Sequence, residues 1–276
     1  MNIAIIGLGL MGGSLALSLK TKDYVKSVVG YDHNEQHQID ALKLGLVDKI
    51  VSMPEIKKCD VIFLAIPVNG VIASLEELTD VPKETTIIDL GSTKEKIVES
   101  IPKSIRANFV AAHPMTGTEN FGPSAAIHNL YDDKVVVLCD LEDSGELQRG
   151  VAKKIFKSLR MRKAFMKSFE HDRHAAFISH MPHAISYSLA NTVMKQEEKQ
   201  DILALAAGGF RSMSRLAKSS PYMWEDIFKQ NKENLLEAIT LFEIELTNLK
   251  TSIQSDEWDK VRQEMVDGNK LHDILD

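Results

Sequence analysis

The chain has 276 residues, of which 44% are hydrophobic and 26% charged, with a formal net charge of −6. That composition belongs to a folded globular protein with room for one large domain or two ordinary ones, and it excludes a disordered chain. The negative balance argues against a nucleic-acid partner, which needs a basic surface, and requires any anionic ligand to be held by locally placed cations. No run of about 18 apolar residues is present to span a bilayer. The opening MNIAIIGLGLMGGSLALSLK lacks the basic start of a signal peptide. The two cysteines, Cys59 and Cys139, lie beside apolar runs and read as core thiols of a reducing, cytoplasmic compartment.

In chain order, strands are predicted at Asn2–Ile6, Ser27–Tyr31, Val61–Ala65, Thr86–Asp89, Phe109–Ala112 and Lys134–Cys139. Helices are predicted between several of them, at Gly12–Leu19, Gln36–Leu44, Asn69–Leu78 and Lys94–Ser100. This alternation means βαβ units and a mostly parallel sheet, and the uniformly apolar strands suit burial on both faces. Glu146–Leu159 adds a helix and Met161–Met166 a last strand. From Ser168 the strand signals stop, and Asn234–Leu249 carries apolar residues at three- and four-residue spacing. The expected organisation is an α/β domain over 1–167, Rossmann-type and doubly wound, followed by an all-helical domain over 168–276. The charged tail after Ser255 is expected to be an exposed helix.

Gly7-Leu8-Gly9-Leu10-Met11-Gly12 is a G-x-G-x-x-G sequence directly after the first strand and at the start of a helix. In that context Gly7 permits the tight turn, Gly9 lets a pyrophosphate approach the backbone, and Gly12 lets helix and strand pack closely. The first helical amides and the positive end of the helix dipole then face the phosphates. Asp32 ends the next strand, where an acidic residue accepts from both ribose hydroxyls. A carboxylate there disfavours a 2′-phosphate and no Arg follows directly, so NAD is expected over NADP. Pro67 lies beyond the end of the Val61–Ala65 strand, either shaping the cofactor cleft or simply making a strand-to-helix turn.

Three polar segments are candidates for chemistry. In Asp89–Lys94, Ser92 is either a helix N-cap or a site hydroxyl. In His113–Glu119, His113 follows an apolar strand at its carboxyl end, the place for a base that takes a proton from a substrate hydroxyl as the carbon loses hydride. A hydrogen-bonded structural histidine is the alternative. His171, His174, His180 and His183 crowd one span, but without a Cys ligand or an HExxH pattern they give no metal site. Arg211 and Arg215 stand four apart, which on one helix face gives either two guanidinium groups for carboxylate recognition or a solvated basic face.

The glycine motif, Asp89–Lys94, HPMTGTE at 113–119, SHMPH at 179–183 and the segment Gly208–Lys218 running into Pro221-Tyr222-Met223-Trp224 together resemble the prephenate dehydrogenase family of tyrosine biosynthesis. The resemblance implies NAD-dependent oxidative decarboxylation of prephenate to 4-hydroxyphenylpyruvate. It implies His113 as the proton acceptor with Ser92 contacting it, Arg215 on a substrate carboxylate, and Thr118, Glu119, His183 and Arg211 around the substrate. It further implies a homodimer formed through the helical domains. Arg211 and Ser212 depart from the Lys and Asp of some members, which puts an ion-pair gate through them in doubt, although Asp172 remains a partner for Arg211. No regulatory ACT or mutase-like domain is expected. Rival readings are an arogenate dehydrogenase, another Rossmann-type β-hydroxyacid or imine reductase, and a non-catalytic NAD-binding protein.

Overall fold

Apolar, β-branched runs form β1 (Asn2–Ile6), β2 (Ser27–Tyr31), β3 (Lys49–Ile50), β4 (Val61–Leu64), β5 (Thr86–Asp89), β6 (Phe109–Pro114), β7 (Val135–Cys139) and β8 (Arg162–Met166). In the computed structural model, which describes residues 1–275, they make one eight-stranded sheet in the order β3-β2-β1-β4-β5-β6-β7-β8. Neighbours run parallel except β6 and β7, which pair antiparallel. The register sets Ile5 of β1 between Gly30 of β2 and Phe63 of β4.

Between the strands lie α1 (Leu10–Lys20), α2 (Glu35–Lys43), α3 (Met53–Ile56), α4 (Val68–Glu77), α5 (Glu95–Glu99) and α6 (Glu146–Ser158). Alternate strand residues face opposite sides, so the sheet organises two cores. Ile3, Ile5 and Phe63 pack with Leu15 and Leu19 of α1 and with Ile155 and Phe156 of α6. Ala4, Ile6, Ile62 and Leu64 pack with Val71 and Leu75 of α4 and Ile97 of α5.

One strand lies outside the sequence reading, and one connection makes the sheet mostly, not wholly, parallel. Strand β3 is only a residue pair, too short to produce a periodic signal. No α-helix separates β6 from β7, so the chain cannot cross back to the starting edge, and β7 reverses direction. The segment between them instead lies on the glycine-rich turn. Ile127 N donates to Ser14 Oγ at 3.0 Å and the Tyr131 hydroxyl donates to Met11 O at 2.7 Å. That path carries Thr118 and Glu119 to the same edge of the sheet.

Beyond β8 the chain continues as α7 (Ser168–Ala175), a π-helical turn (Ala176–His180), α8 (Met181–Gln196), α9 (Lys199–Leu205), α10 (Gly208–Ser214), a 3₁₀ turn (Arg215–Lys218) and α11 (Pro221–Gln230). Then come α12 (Lys232–Gln254), α13 (Trp258–Asn269) and α14 (His272–Leu275). Among the described residues no strand follows Met166. Compactness divides the chain elsewhere than at the end of the strands: residues 1–231 form one unit and the residues from Lys232 onward another. Helices α7 to α11 therefore fold with the sheet. In the second unit Ser252 Oγ donates to Glu264 Oε1 at 3.2 Å, tying α12 to α13. Among the described residues, no helix is long and apolar enough to cross a membrane.

The glycines give a test of this packing with two opposite signs. A Cβ on Gly12 would stand 1.8 Å from Gly7 O, whereas one on Gly150, inside α6, meets nothing within 4 Å. Gly12→Ala is expected to destabilise by about 2 kcal/mol or more through backbone overpacking. Gly150→Ala should stabilise by roughly 0.5–1 kcal/mol by removing helix-interior flexibility. Denaturant melts of both variants check the pair; equal shifts contradict the packing.

Candidate active site

The nucleotide end is built by β1, the turn after it and the end of β2. Gly7 adopts φ +95, a left-handed conformation suited to glycine, and its N–H donates to Tyr31 O at 2.8 Å. At Gly9 an added Cβ meets no atom closer than 3.9 Å, so this residue faces open space at the N-terminus of α1, which no side chain caps. The unpaired amides of the first helical turn point into that space. Asp32, 5% exposed, accepts from Leu8 N at 2.8 Å and Asn34 N at 2.9 Å, one bond to each carboxylate oxygen. His33 and His37 flank it at 3.4 Å. An open glycine beside free amides, backed by a braced carboxylate, fits a dinucleotide. Pro67 is the exposed N-cap of α4. Of this strand end, it is Ala65 O and Ile66 that wall the Gly7 turn.

The chemical end is built by β5, β6 and α7. Lys94 is fully buried; its Nζ binds Asp89 Oδ2 and donates to Ala112 O at 3.0 Å. Asp89 also accepts from Gly91 N at 3.0 Å and Ala112 N at 3.1 Å. Both backbone polar groups of Ala112 are thereby held, and the next residue is His113. Its Nδ1 lies 2.8 Å from His171 Nε2, and His171 Nδ1 lies 2.7 Å from Asp172 Oδ1. The Asp172 carboxylate further accepts from Lys94 N at 2.7 Å and Glu95 N at 2.9 Å. It therefore caps α5 from another helix. Ser92 is not that cap, and among the described residues no hydrogen bond joins it to His113; it remains partly exposed on the turn after β5.

With one proton on each imidazole, the order of donors in this chain follows from the acceptor at its end. A carboxylate only accepts, so His171 Nδ1 donates to Asp172. A neutral His171 then accepts at Nε2, and His113 donates from Nδ1. The Nε2 of His113 is left without a proton. Burial, His171, Lys94 and His180 hold the His113 imidazole well below the ordinary value, so it is neutral at pH 7. Asn231 Nδ2 donates to Asp172 O at 2.6 Å and sits 3.1 Å from His180 Nδ1, which assigns His180 as a neutral, hydrogen-bonded core histidine. Burial lowers its pKa to about 4.

The remaining predicted residues divide into two groups. Arg215 Nη1 pairs with Glu119 Oε2 at 3.7 Å. His183 stacks on Trp224 with ring centroids 3.6 Å apart, and its Nδ1 bonds Ser179 O at 2.9 Å. Thr118 is exposed and its hydroxyl accepts from Asn120 N at 3.2 Å. Arg211 and Arg215 do not share a helix face, because α10 ends at Ser214 and Arg215 opens the 3₁₀ turn. Arg211 Nε donates to Ala206 O at 2.8 Å. The Asp172–Arg211 pairing is also overturned within the chain, since the Asp172 carboxylate is occupied by Lys94 N, Glu95 N and His171.

His171, Asp172, Asp89, Lys94 and Asn231 are members of the network that sequence reasoning did not place. The acid–lysine spacing in Asp89-Leu90-Gly91-Ser92-Thr93-Lys94, at a buried strand end, was the available signal for one pair. The His113–His171 contact spans 58 positions and leaves no local pattern.

Comparison with known proteins gives the family of the chain. Residues 15–164 match the family model "Prephenate dehydrogenase, nucleotide-binding domain" and residues 167–267 match "Prephenate dehydrogenase, dimerization domain". Prephenate dehydrogenase of Bacillus subtilis (strain 168) is 32% identical over 93% of this chain and 71% of its own length. Cyclohexadienyl dehydrogenase of Zymomonas mobilis is 30% identical over 98% of this chain and 94% of its own. The crystal structure of prephenate dehydrogenase from A. aeolicus, in complex with hydroxyphenyl propionate and NAD+, superposes with a TM-score of 0.92 at 30% identity, covering 100% of this chain and 98% of that one. With both halves matched in order, the chain belongs to the prephenate dehydrogenase family.

Proposed function

We propose that the protein is an NAD-dependent dehydrogenase that oxidises and decarboxylates prephenate to 4-hydroxyphenylpyruvate in tyrosine biosynthesis. The observation that carries the reading is His113: a neutral imidazole at the carboxyl end of β6, donating from Nδ1 and left with a bare Nε2. Relatives named for prephenate and cyclohexadienyl substrates support the choice of substrate.

When bound, NAD+ supplies the hydride acceptor. Gly7, Gly9 and Gly12, with the backbone of Leu8, Leu10 and Met11, would hold its pyrophosphate at the start of α1. Asp32 has lone pairs left for the ribose hydroxyls, and Pro67 borders the cleft.

His113 Nε2 accepts the proton of the substrate hydroxyl, and Ser92, on the neighbouring turn, orients the same hydroxyl. Arg215 takes a substrate carboxylate. Its pairing with Glu119 is long and partly exposed, so an anion with bidentate geometry replaces Glu119 at little cost. Thr118, Glu119, His183 and Arg211 complete the substrate side. Loss of carbon dioxide leaves an aromatic ring, which drives the reaction; the protein mainly orients and balances charge.

The division of labour follows the sequence reading, with 1–167 holding the nucleotide and 168–276 completing the substrate site and pairing two copies. Exposed Leu241, Ile244, Leu246, Trp258 and Met265 support a homodimer through the helical region. Free, buried Cys59 and Cys139 support a cytoplasmic location. The acidic balance supports a small-molecule substrate with no nucleic-acid or membrane partner.

An NADH-formation assay with prephenate and arogenate side by side tests the reading: prephenate should give the higher kcat/KM, and the reverse order overturns the substrate assignment. His113→Asn should lower kcat at least about 100-fold while NAD affinity stays unchanged; near-normal kcat places the base elsewhere. Arg215→Ala should raise KM for prephenate at least about tenfold, since a bidentate charged partner is lost; an unchanged KM removes Arg215 from the site.

A further inference from the structure

His113 has a difficulty as a base. It must become positively charged at the moment it takes a proton, yet its partly desolvated ring feels the buried Lys94 cation. Lys94 cannot be dispensed with, because it braces Asp89 and Ala112 O. A charge retained on His113 is therefore disfavoured by burial and by a like charge at once.

The next ring in the chain offers a better place for that charge. His171 is 2% exposed and its Nε2 is 2.8 Å from His113 Nδ1. Its other nitrogen lies 2.7 Å from the carboxylate of Asp172, which is 1% exposed. A cation on His171 faces an anion in direct hydrogen-bond contact, whereas among the described residues no carboxylate is hydrogen-bonded to His113.

We infer that His171, backed by Asp172, receives the Nδ1 proton of His113 as His113 takes the substrate hydroxyl proton at Nε2. The inference rests on the proposed dehydrogenase reading and deepens it. In the step, the substrate O–H breaks and an Nε2–H forms on His113. The Nδ1–H of His113 breaks and an Nε2–H forms on His171. His113 stays neutral with its proton now on Nε2, and the positive charge rests on His171 against Asp172. After product leaves, His113 releases its Nε2 proton to water and recovers its Nδ1 proton from His171, which restores the starting state.

His171 is thus a positioning residue that also moves a proton, while Asp172 acts through it. The carboxylate is suited to holding that charge. It is fixed by two backbone amides of the β5–α5 turn, and Asn231 holds its own main-chain carbonyl. No side-chain motion is needed for the transfer from His113 to His171, since the two nitrogens already stand 2.8 Å apart.

His171→Gln separates orientation from proton movement, because the Gln carbonyl still accepts from His113 Nδ1–H but cannot take its proton. Single-turnover NADH formation from prephenate is measured for wild type and variant, together with NAD affinity and a proton inventory in H₂O/D₂O mixtures. The expected variant rate is lower by about tenfold or more, a part of the 10²–10⁴ ascribed to a positioned base. NAD affinity and KM for prephenate should stay within about threefold. The wild-type inventory should bow downward, as two moving protons require, and the variant's should be linear. The wild-type inventory needs no variant to fold, so it tests the relay even if His171→Gln proves unstable. An active wild type with a linear inventory, or a His171→Gln enzyme at wild-type rate, overturns the relay alone. A wild-type protein that leaves prephenate unoxidised overturns the functional reading first and the relay with it.

Discussion

The arrangement depends on the carboxylate of Asp172, a buried anion with three assigned donors. Two are the backbone amides of Lys94 and Glu95, at the start of α5, and the third is His171 Nδ1. A buried charge is tolerated only where its hydrogen-bonding capacity is used, and stripping one partner from such a site typically costs about 3–5 kcal/mol. Asp172 therefore fixes three things together: where α7 docks, how the β5–α5 turn ends, and which nitrogen of His171 carries a proton. The last sets the tautomer of His113. The reactive nitrogen is specified by a residue that does not touch it.

The cations Lys94 and Arg215 are used differently. Lys94 is buried, spends its charge on Asp89 and Ala112 O, and stiffens the strand end that presents His113. Arg215 is more than half exposed and loosely paired, and so remains available to an anion. A chain with a net charge of −6 cannot attract an anionic substrate by its overall field, so these placed cations must do it locally. The glycine turn solves the same problem without side chains, by aiming free backbone amides and a helix N-terminus at phosphate.

The nucleotide half was legible because its requirements are local. Gly7, Gly9 and Gly12 lie within one turn, and Asp32 ends the next strand, so short-range spacing identifies them. His113 was legible as the end of an apolar run. The features that were not legible are those decided by tertiary contact. Two-residue β3 has no period, and the reversal at β7 depends on a missing crossover helix. The helical α7 to α11 read as a separate domain, yet they pack into residues 1–231, because helical periodicity says nothing about which surface a helix covers. Arg211 and Arg215 share a face only if the helix is continuous, and it tightens into a 3₁₀ turn between them. Ser92 read as either a helix cap or a site hydroxyl; the cap comes instead from Asp172, eighty positions on, a partnership with no local trace.

The central claim is that the hydrogen-bond chain from Asp172 leaves His113 neutral, protonated at Nδ1 and bare at Nε2. The most direct measurement is ¹⁵N NMR of histidine-labelled protein, with His113 assigned by its loss in His113→Asn and titrated downward from neutral pH. The account predicts a proton resident on Nδ1, a deprotonated Nε2, and a ring that stays neutral until the pH is well below 6.5, the ordinary imidazole value. A proton on Nε2 at neutral pH, or a ring that titrates at the ordinary value, would contradict it.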